Sequence, residues 1–136
     1  MPRYKPQRFG PLCVDLINAT LELEMEHGEA RMPGKVHEKI ATKHADDYDV
    51  CMRNLPSTLQ NPTYIGLPPK HTDKLELVKR VESGAALVLV AVALEQDQYG
   101  DYAIASTYTI SEDAVDRYRQ TGRMIPPARH KSAGSS

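Results

Sequence analysis

The sequence has little of several residue types that define particular protein classes. It contains no tryptophan, one phenylalanine and only two cysteines, Cys13 and Cys51, which are far from a CxxC spacing. This favours two buried free thiols in a reducing compartment over a disulfide or a zinc cluster. The apolar run over 85–94 is ten residues long, whereas a membrane-spanning helix needs about 20. The start of the chain is polar and basic, unlike a signal peptide, so we expect a cytoplasmic protein without a membrane partner.

Several motifs of cofactor and metal chemistry are also missing. No glycine-rich phosphate loop follows a predicted strand, and no GxSxG nucleophile turn occurs. His37-Glu38 is not followed by the second histidine of a zinc-protease HExxH helix. No group of carboxylates is spaced to hold Mg²⁺. We therefore expect a function that needs no cofactor and no metal.

Charge is distributed unevenly along the chain. Of the 17 basic residues, three lie in residues 1–10 and five follow Asp116, whereas all 18 acidic residues lie between these two segments. The central part of the chain is therefore acidic, which is not typical of a general nucleic-acid-binding surface. If the protein binds RNA, its basic ends or a local pocket must supply the phosphate contacts. Solvated basic tails explain the same pattern equally well.

The length of 136 residues predicts one domain. Residues 1–11 contain three prolines and are predicted to be an irregular lead-in, residues 12–122 form the domain, and residues 123–136 form a loose tail. Apolar periodicity, proline and glycine mark the elements between these ends. The predicted elements are a strand over about 12–25, a helix over 35–44, a helix from Tyr48 to about 60 that is interrupted at Pro56, strands over 63–67, 75–81, 87–94 and 102–110, and a helix over 111–122 capped by Ser111.

This order predicts an α+β fold. An N-terminal strand and two helices pack on a C-terminal antiparallel sheet of about four strands, and a terminal helix follows the sheet. The strand over 87–94 is almost entirely valine, leucine and alanine, which is typical of a central strand buried on both faces. The helices are then expected on one face of the sheet.

The segment VHEKIATKH, residues 36–44, contains two of the five histidines. On a helix, His37 and His44 share a face because they are seven residues apart, and they stand about 10 Å apart along the axis. Histidine both accepts and donates protons near neutral pH. Lys43 lies next to His44 and adds a positive charge. A single histidine on a helix more often has a purely structural role, and that alternative stays open for each of the two.

These residue types suit RNA cleavage by internal transfer, in which a base removes the 2′-OH proton, an acid protonates the 5′-oxygen, and polar donors stabilise the phosphate. Ser106, Thr107, Tyr108 and Thr109 lie on a predicted strand. Alternation places Ser106 and Tyr108 on one face and the two threonines on the other. One of these pairs is expected to face the histidine helix, although the segment also suits a strand with no catalytic role.

The order of elements and three short motifs resemble the phage-associated branch of the barnase, EndoU, colicin and RelE superfamily of nucleases, found in phages and polymorphic toxins. The resemblance covers about residues 12–120. Lys43-His44 resembles the basic end of the family's histidine helix, the segment 59–62 (LQNP) resembles the helix exit, and Thr107-Tyr108 resembles the polar pair of the last strand. His37 departs from the family spacing, because Ile40 does not directly follow it.

The resemblance implies a metal-independent endoribonuclease, such as a toxin or phage effector. Its expected partners are RNA, with tRNA as one candidate, and a cognate immunity or antitoxin protein. The predicted catalytic residues are His44, His37, Thr107 and Tyr108, and the predicted substrate-binding residues are Lys43, Arg53, Lys79 and Ser106. Two alternatives are a non-catalytic binding module on the same fold, with the basic segment 117–131 as its contact, and an acidic immunity-type protein that docks on a basic partner.

Overall fold

The computed structural model describes residues 5–81 and 87–128. In this part of the chain, seven strands form one mixed sheet, and α-helices pack on both of its faces. The elements are β1 (Gln7–Pro11), α1 (Val14–Leu21), β2 (Glu29–Met32), α2 (Gly34–Lys43), a 3₁₀ turn (Ala45–Asp47), α3 (Tyr48–Gln60), β3 (Tyr64–Gly66), β4 (Lys74–Arg80), β5 (Leu87–Ala93), β6 (Tyr102–Ile110), α4 (Glu112–Gln120) and β7 (Met124–Ile125).

The strand order is β1-β2-β6-β5-β4-β3-β7. Only β2 and β6 are parallel; every other neighbouring pair is antiparallel. The α+β class is therefore confirmed, and the antiparallel run from β3 to β6 contains the four strands that the sequence predicts. The sheet is wider than predicted because three short strands, β1, β2 and β7, extend it at both ends.

The N-terminal strand predicted over 12–25 is wrong. Residues 14–21 form α1, which ends where Glu22 takes a left-handed backbone conformation with φ of 58°. Of the alternating residues Leu21, Leu23 and Met25, the first ends α1 and the other two lie in an irregular segment that packs against the core. Asn18 holds this segment with two hydrogen bonds, donating to the Met25 carbonyl at 3.0 Å and accepting from the Met25 N–H at 2.9 Å.

The predicted lead-in and tail also contain sheet structure. Residues 7–11 form β1, and residues 124–125 form β7, which pairs with β3. These strands are five and two residues long, so each is ordered by its partner strand rather than by a local pattern. Residues 1–4 and 129–136 of the predicted ends lie outside the described residues.

The other predicted helices agree with the structure. Ser111 caps α4, since its hydroxyl accepts a hydrogen bond from the Ala114 N–H at 3.1 Å. The predicted interruption at Pro56, however, is wrong, because Pro56 lies inside α3 and the helix continues to Gln60. A proline inside a helix costs about 3 kcal/mol, but α3 buries Cys51, Leu55 and Leu59 in the core, and this packing holds the helix together.

The expectation that the helices lie on one face of the sheet is wrong, because helices cover both faces, although unequally. On the helix face, α1, α2 and α3 pack over Val88, Val90 and Val92 of β5. On the opposite face, α4 packs over Leu87 and Leu89. A helix of nine residues is about 14 Å long, whereas seven strands about 4.8 Å apart make a sheet about 29 Å wide. Part of this second face, called the α4 face below, therefore has no helix over it.

Gly66 of β3 allows the chain before β7 to approach the sheet closely. A Cβ atom at this position would overlap the Arg123 carbonyl oxygen, which accepts a hydrogen bond from the Leu67 N–H at 3.2 Å. Gly66 therefore sets the position of Arg123.

We expect Gly66→Ala to destabilise the protein by about 2–3 kcal/mol, because the added methyl group forces backbone atoms apart. Urea unfolding followed by circular dichroism measures the effect. Leu67→Ala is the control: the Leu67 side chain is 40% exposed, and its removal should change the free energy of unfolding by less than about 1 kcal/mol. An unchanged stability for Gly66→Ala contradicts the prediction.

Candidate active site

Tyr108 lies in a group of polar side chains on the α4 face. The strand register places Tyr108 beside Leu89, and it places Ser106, two residues earlier, beside Ala91, which in turn lies beside Glu76. Because alternate residues of a strand share a face, Tyr108, Ser106 and Glu76 all lie on the same side of the sheet. Tyr118 of α4 and Arg123 complete this group, as the contacts below show.

Arg123 is held in a fixed position by a buried carboxylate. Its Nε donates to Glu76 Oε1 at 3.0 Å and its Nη2 donates to Oε2 at 2.8 Å. The Glu76 side chain is 6% exposed, and the guanidinium lies 3.9 Å from the centre of the Tyr118 ring. The hydrogen bonds to Glu76 are the main reason that the pKa of Arg123 is raised. This planar, two-point pairing fixes the orientation of the guanidinium.

The site offers hydrogen-bond donors to an anion. The pairing with Glu76 uses Nε and Nη2 of Arg123, and Nη1 makes no hydrogen bond to another described residue. Burial raises the pKa of the Tyr108 hydroxyl, as do the negative charge of Glu76 and the nearby Tyr118, while Arg123 opposes the shift. Tyr108 is therefore protonated at neutral pH and can donate its hydroxyl proton.

His44 reaches this group from the edge of β6. Strand β2 pairs only with Tyr102 and Ala103, so the rest of that edge is free of a strand partner. The 3₁₀ turn after α2 lies against it, where Asp47 accepts a hydrogen bond from the Thr109 N–H at 3.1 Å. This contact places the His44 ring 5.7 Å from the Tyr108 ring, centre to centre, with 32° between the ring planes.

Two further predicted residues lie near His44 and Tyr108: Lys43 is next to His44, and Ser106 is on the same face of the sheet as Tyr108. Lys43 is exposed in the last turn of α2 and, together with His44, lines a surface depression of about 390 Å³ over residues 42–47. Ser106 is half-buried on the α4 face, two residues from Tyr108. Of the eight predicted site residues, the structure brings His44 and Tyr108 into ring contact, and it places Lys43 beside His44 and Ser106 on the same face as Tyr108.

His37 is not part of this group, contrary to the predicted pairing with His44. It is 6% exposed, and its ring stacks parallel to Tyr48 at 5.8 Å. Its Nδ1 lies 3.2 Å from the Lys5 carbonyl oxygen and its Nε2 lies 2.6 Å from the Tyr48 hydroxyl. Because a carbonyl only accepts, Nδ1 carries the proton and Nε2 accepts from Tyr48. These contacts attach the N-terminal segment to the start of α3, which is a structural role.

Thr107 is also separated from the site, because it points to the opposite side of the sheet. It lies beside Val90 on the helix face and is fully buried. Its hydroxyl makes no hydrogen bond of normal geometry. The Cys51 thiol lies close enough for this hydroxyl to lower the thiol pKa, but burial raises that pKa to about 11. Thr107 in this position has no access to a substrate.

Arg53 and Lys79 lie away from Tyr108 as well. Arg53 is exposed on α3, whose buried side faces the helix side of the sheet. Lys79 directly follows Val78 in β4 and therefore lies on the opposite side of the sheet, the helix face. Its Nζ donates to the Asn61 carbonyl at 2.9 Å. The predicted substrate-binding role of these two residues therefore has no support in the geometry.

Sequence reasoning missed Glu76, Tyr118 and Arg123. One signal was present, since Glu76 is the single charged residue among the apolar residues of the segment 75–78 (LELV). A carboxylate at a buried strand position requires a cationic partner. The sequence does not identify that partner, which lies 47 residues away in the segment predicted to be a loose tail.

We predict that Tyr48→Phe destabilises the protein without changing its chemistry. The substitution removes the hydroxyl that donates to His37 and should lower the free energy of unfolding by about 1 kcal/mol, as measured by urea unfolding. Tyr99→Phe is the control, because the Tyr99 side chain is exposed and its hydroxyl makes no hydrogen bond to a described residue. A free energy of unfolding equal to that of the wild type would contradict the prediction.

Comparison with known proteins leaves the family assignment as a prediction. No protein-family model matches the sequence, and neither curated proteins nor solved structures gave a match. Within residues 5–81 and 87–128, no group of three or more histidine, cysteine or acidic side chains is arranged to hold a metal ion. In the same residues, no helix has the length and apolar character for crossing a membrane. Both cysteines are free thiols.

Proposed function

We propose that the protein is an endoribonuclease that cleaves RNA by attack of the 2′-OH group, with His44, Tyr108 and Arg123 at its active site. The observation that carries this proposal is the contact between the His44 and Tyr108 rings next to a guanidinium that Glu76 holds in place. A proton acceptor, a proton donor and an anion-binding group are the three components that this reaction requires.

In the proposed mechanism, His44 accepts the proton of the 2′-OH as that oxygen attacks the phosphorus. The bond from phosphorus to the 5′-oxygen breaks, and the Tyr108 hydroxyl donates its proton to the departing oxygen. Arg123 Nη1 binds a non-bridging phosphate oxygen, and Lys43 contributes charge from the neighbouring depression. The products are a 2′,3′-cyclic phosphate and a 5′-hydroxyl, and water returns the proton from His44 to Tyr108.

RNA cleavage by the purified protein in EDTA tests the proposal. The substrates are tRNA, ribosomal RNA and messenger RNA, and the products are analysed for 2′,3′-cyclic phosphate ends. DNA of the same sequence is the control, since it lacks the attacking hydroxyl and should stay intact. If the protein binds RNA but leaves it uncleaved under all conditions, the result favours the alternative of a non-catalytic binding module.

The resemblance adds a protein partner to the proposal. Toxin nucleases of this kind are expected to have a cognate immunity or antitoxin protein. Such a partner would have to cover the depression that contains Lys43 and His44 in order to block the site. Protection of His44 from carbethoxylation by diethyl pyrocarbonate in the complex would test this contact.

A further inference from the structure

A second arginine stacks on a tyrosine near the active site. The Arg119 guanidinium lies 4.9 Å from the centre of the Tyr64 ring, and Tyr64 lies on the α4 face beside Val78. Arg117 and Arg119 both lie in the last turn of α4, where positive charge is favoured by the helix dipole. The dipole accounts for both arginines, but only Arg119 stacks on an aromatic ring.

A cleft of about 340 Å³ lies next to this stacked pair. Arg119 and Gln120 contribute polar groups to its wall, and the segment 124–126 contributes an apolar side. Asp116 also lines the cleft. Because the segment 124–126 directly follows Arg123, the cleft is adjacent along the chain to the arginine that we place at the reacting phosphate.

We propose that this cleft and the outer face of Arg119 bind an unpaired base of the RNA, so that the substrate is single-stranded at the cleavage site. The Arg119 guanidinium is held over the Tyr64 ring at 4.9 Å, and a planar guanidinium with one side on an aromatic ring can stack a base on its other side. Stacking of bases on aromatic and arginine planes is the main binding mode of single-stranded nucleic acids. In a duplex the base faces are stacked on each other and cannot enter such a cleft. This inference rests on the proposed function only in taking RNA as the ligand.

The charge distribution of this surface supports a nucleic acid over a protein as its occupant. No acidic residue follows Asp116 in the sequence, and Arg117, Arg119 and Arg123 follow it within seven residues. Two of these arginines lie over aromatic rings, Arg119 over Tyr64 and Arg123 over Tyr118, which combines positive charge with planar stacking surfaces.

Binding of fluorescent RNA to the His44→Ala protein, which leaves the RNA intact, tests the inference. The probes are a single-stranded 12-nucleotide RNA and the corresponding duplex, and the variants Arg119→Gln, Arg119→Lys and Arg117→Gln are made in the same background. Arg117→Gln is the matched control because it removes the same charge from the same helical turn without a stacked partner. We expect Arg119→Gln to weaken single-strand binding about tenfold, and Arg119→Lys to lose most of the same affinity, since lysine has no planar group.

Arg117→Gln should weaken binding by no more than about threefold, through charge alone. Equal losses for the two glutamine variants, or a duplex that binds as tightly as the single strand, would overturn the inference. The cleavage assay is independent of this result. If the wild-type protein does not cleave RNA but Arg119 still governs single-strand binding, the proposed function fails and the binding site stands. If the protein cleaves RNA while Arg119→Gln binds normally, only this inference fails.

Discussion

His44→Ala is expected to lower the rate of RNA cleavage by about 10²- to 10⁴-fold, the usual range for loss of one acid or base catalyst. Among the described residues, no other histidine contacts Tyr108 and could replace His44. His37 is buried and hydrogen-bonded to Lys5 and Tyr48, and His27 is paired with Asp15 at 2.8 Å. Single-turnover cleavage of a labelled RNA in EDTA measures the chemical step. The large effect is expected because the ring beside Tyr108 is the group proposed to accept the 2′-OH proton.

The matched control for His44 is His71→Ala. His71 is exposed in the loop between β3 and β4 and is not part of the Tyr108 group, so its loss should leave the cleavage rate within about twofold, a surface change. Urea unfolding of both variants separates a lost catalyst from a lost fold. Cleavage by His44→Ala at the wild-type rate would remove His44 from the mechanism, whatever the result for His71.

Glu76→Ala is expected to destabilise the protein by about 3 kcal/mol and to abolish most of its activity. Removing one partner of a buried ion pair leaves the other partner uncompensated, which costs about 3–5 kcal/mol. The low end applies because the Arg123 side chain is 22% exposed and water can reach it. The loss of activity follows from the loss of the two hydrogen bonds that orient the guanidinium. Urea unfolding and single-turnover cleavage measure the two effects.

A double variant separates stability from orientation. Glu76→Leu combined with Arg123→Met replaces the pair with apolar groups and should recover much of the stability that either single change loses. Its cleavage rate should stay low, because the anion-binding group is gone. Glu112→Ala is the control, since it breaks the Arg80–Glu112 pair, whose side chains are 47% and 45% exposed. A surface pair contributes at most about 1 kcal/mol. Equal losses for Glu76→Ala and Glu112→Ala would show that the Glu76 pair behaves like a surface pair.

Some elements were predictable from local sequence because their signals are local. The helical period of residues 35–44, the cap at Ser111 and the valine-rich run of β5 each identify an element without reference to the rest of the chain. The segment 12–25 misled the prediction because the alternation of Leu21, Leu23 and Met25 also arises where a helix ends and a half-buried irregular segment follows. Periodicity reports which residues are buried, and it does not report where their backbone hydrogen bonds go.

The site residues were likewise only partly predictable from the sequence. Alternation along β6 separated Tyr108 from Thr107 in advance, but the choice between the two faces needed the position of the helices. His37 lies inside α2 whereas His44 caps its C-terminus, and the two differ in burial because Tyr48 and the Lys5 carbonyl contact only His37. The sequence marked Glu76 as a residue in need of a partner, but it did not identify Arg123 as that partner.

The sequence by itself determined most of the helices, the four antiparallel strands β3 to β6, and His44 and Tyr108 as candidates, since periodicity, caps and residue chemistry are local properties. The tertiary structure alone decided the three short strands β1, β2 and β7, the exclusion of His37 and Thr107 from the site, and the pairing of Glu76 with Arg123. Each of these depends on contacts between segments far apart in the chain. Such contacts form only when the whole sheet assembles, and for this reason no local pattern predicts them.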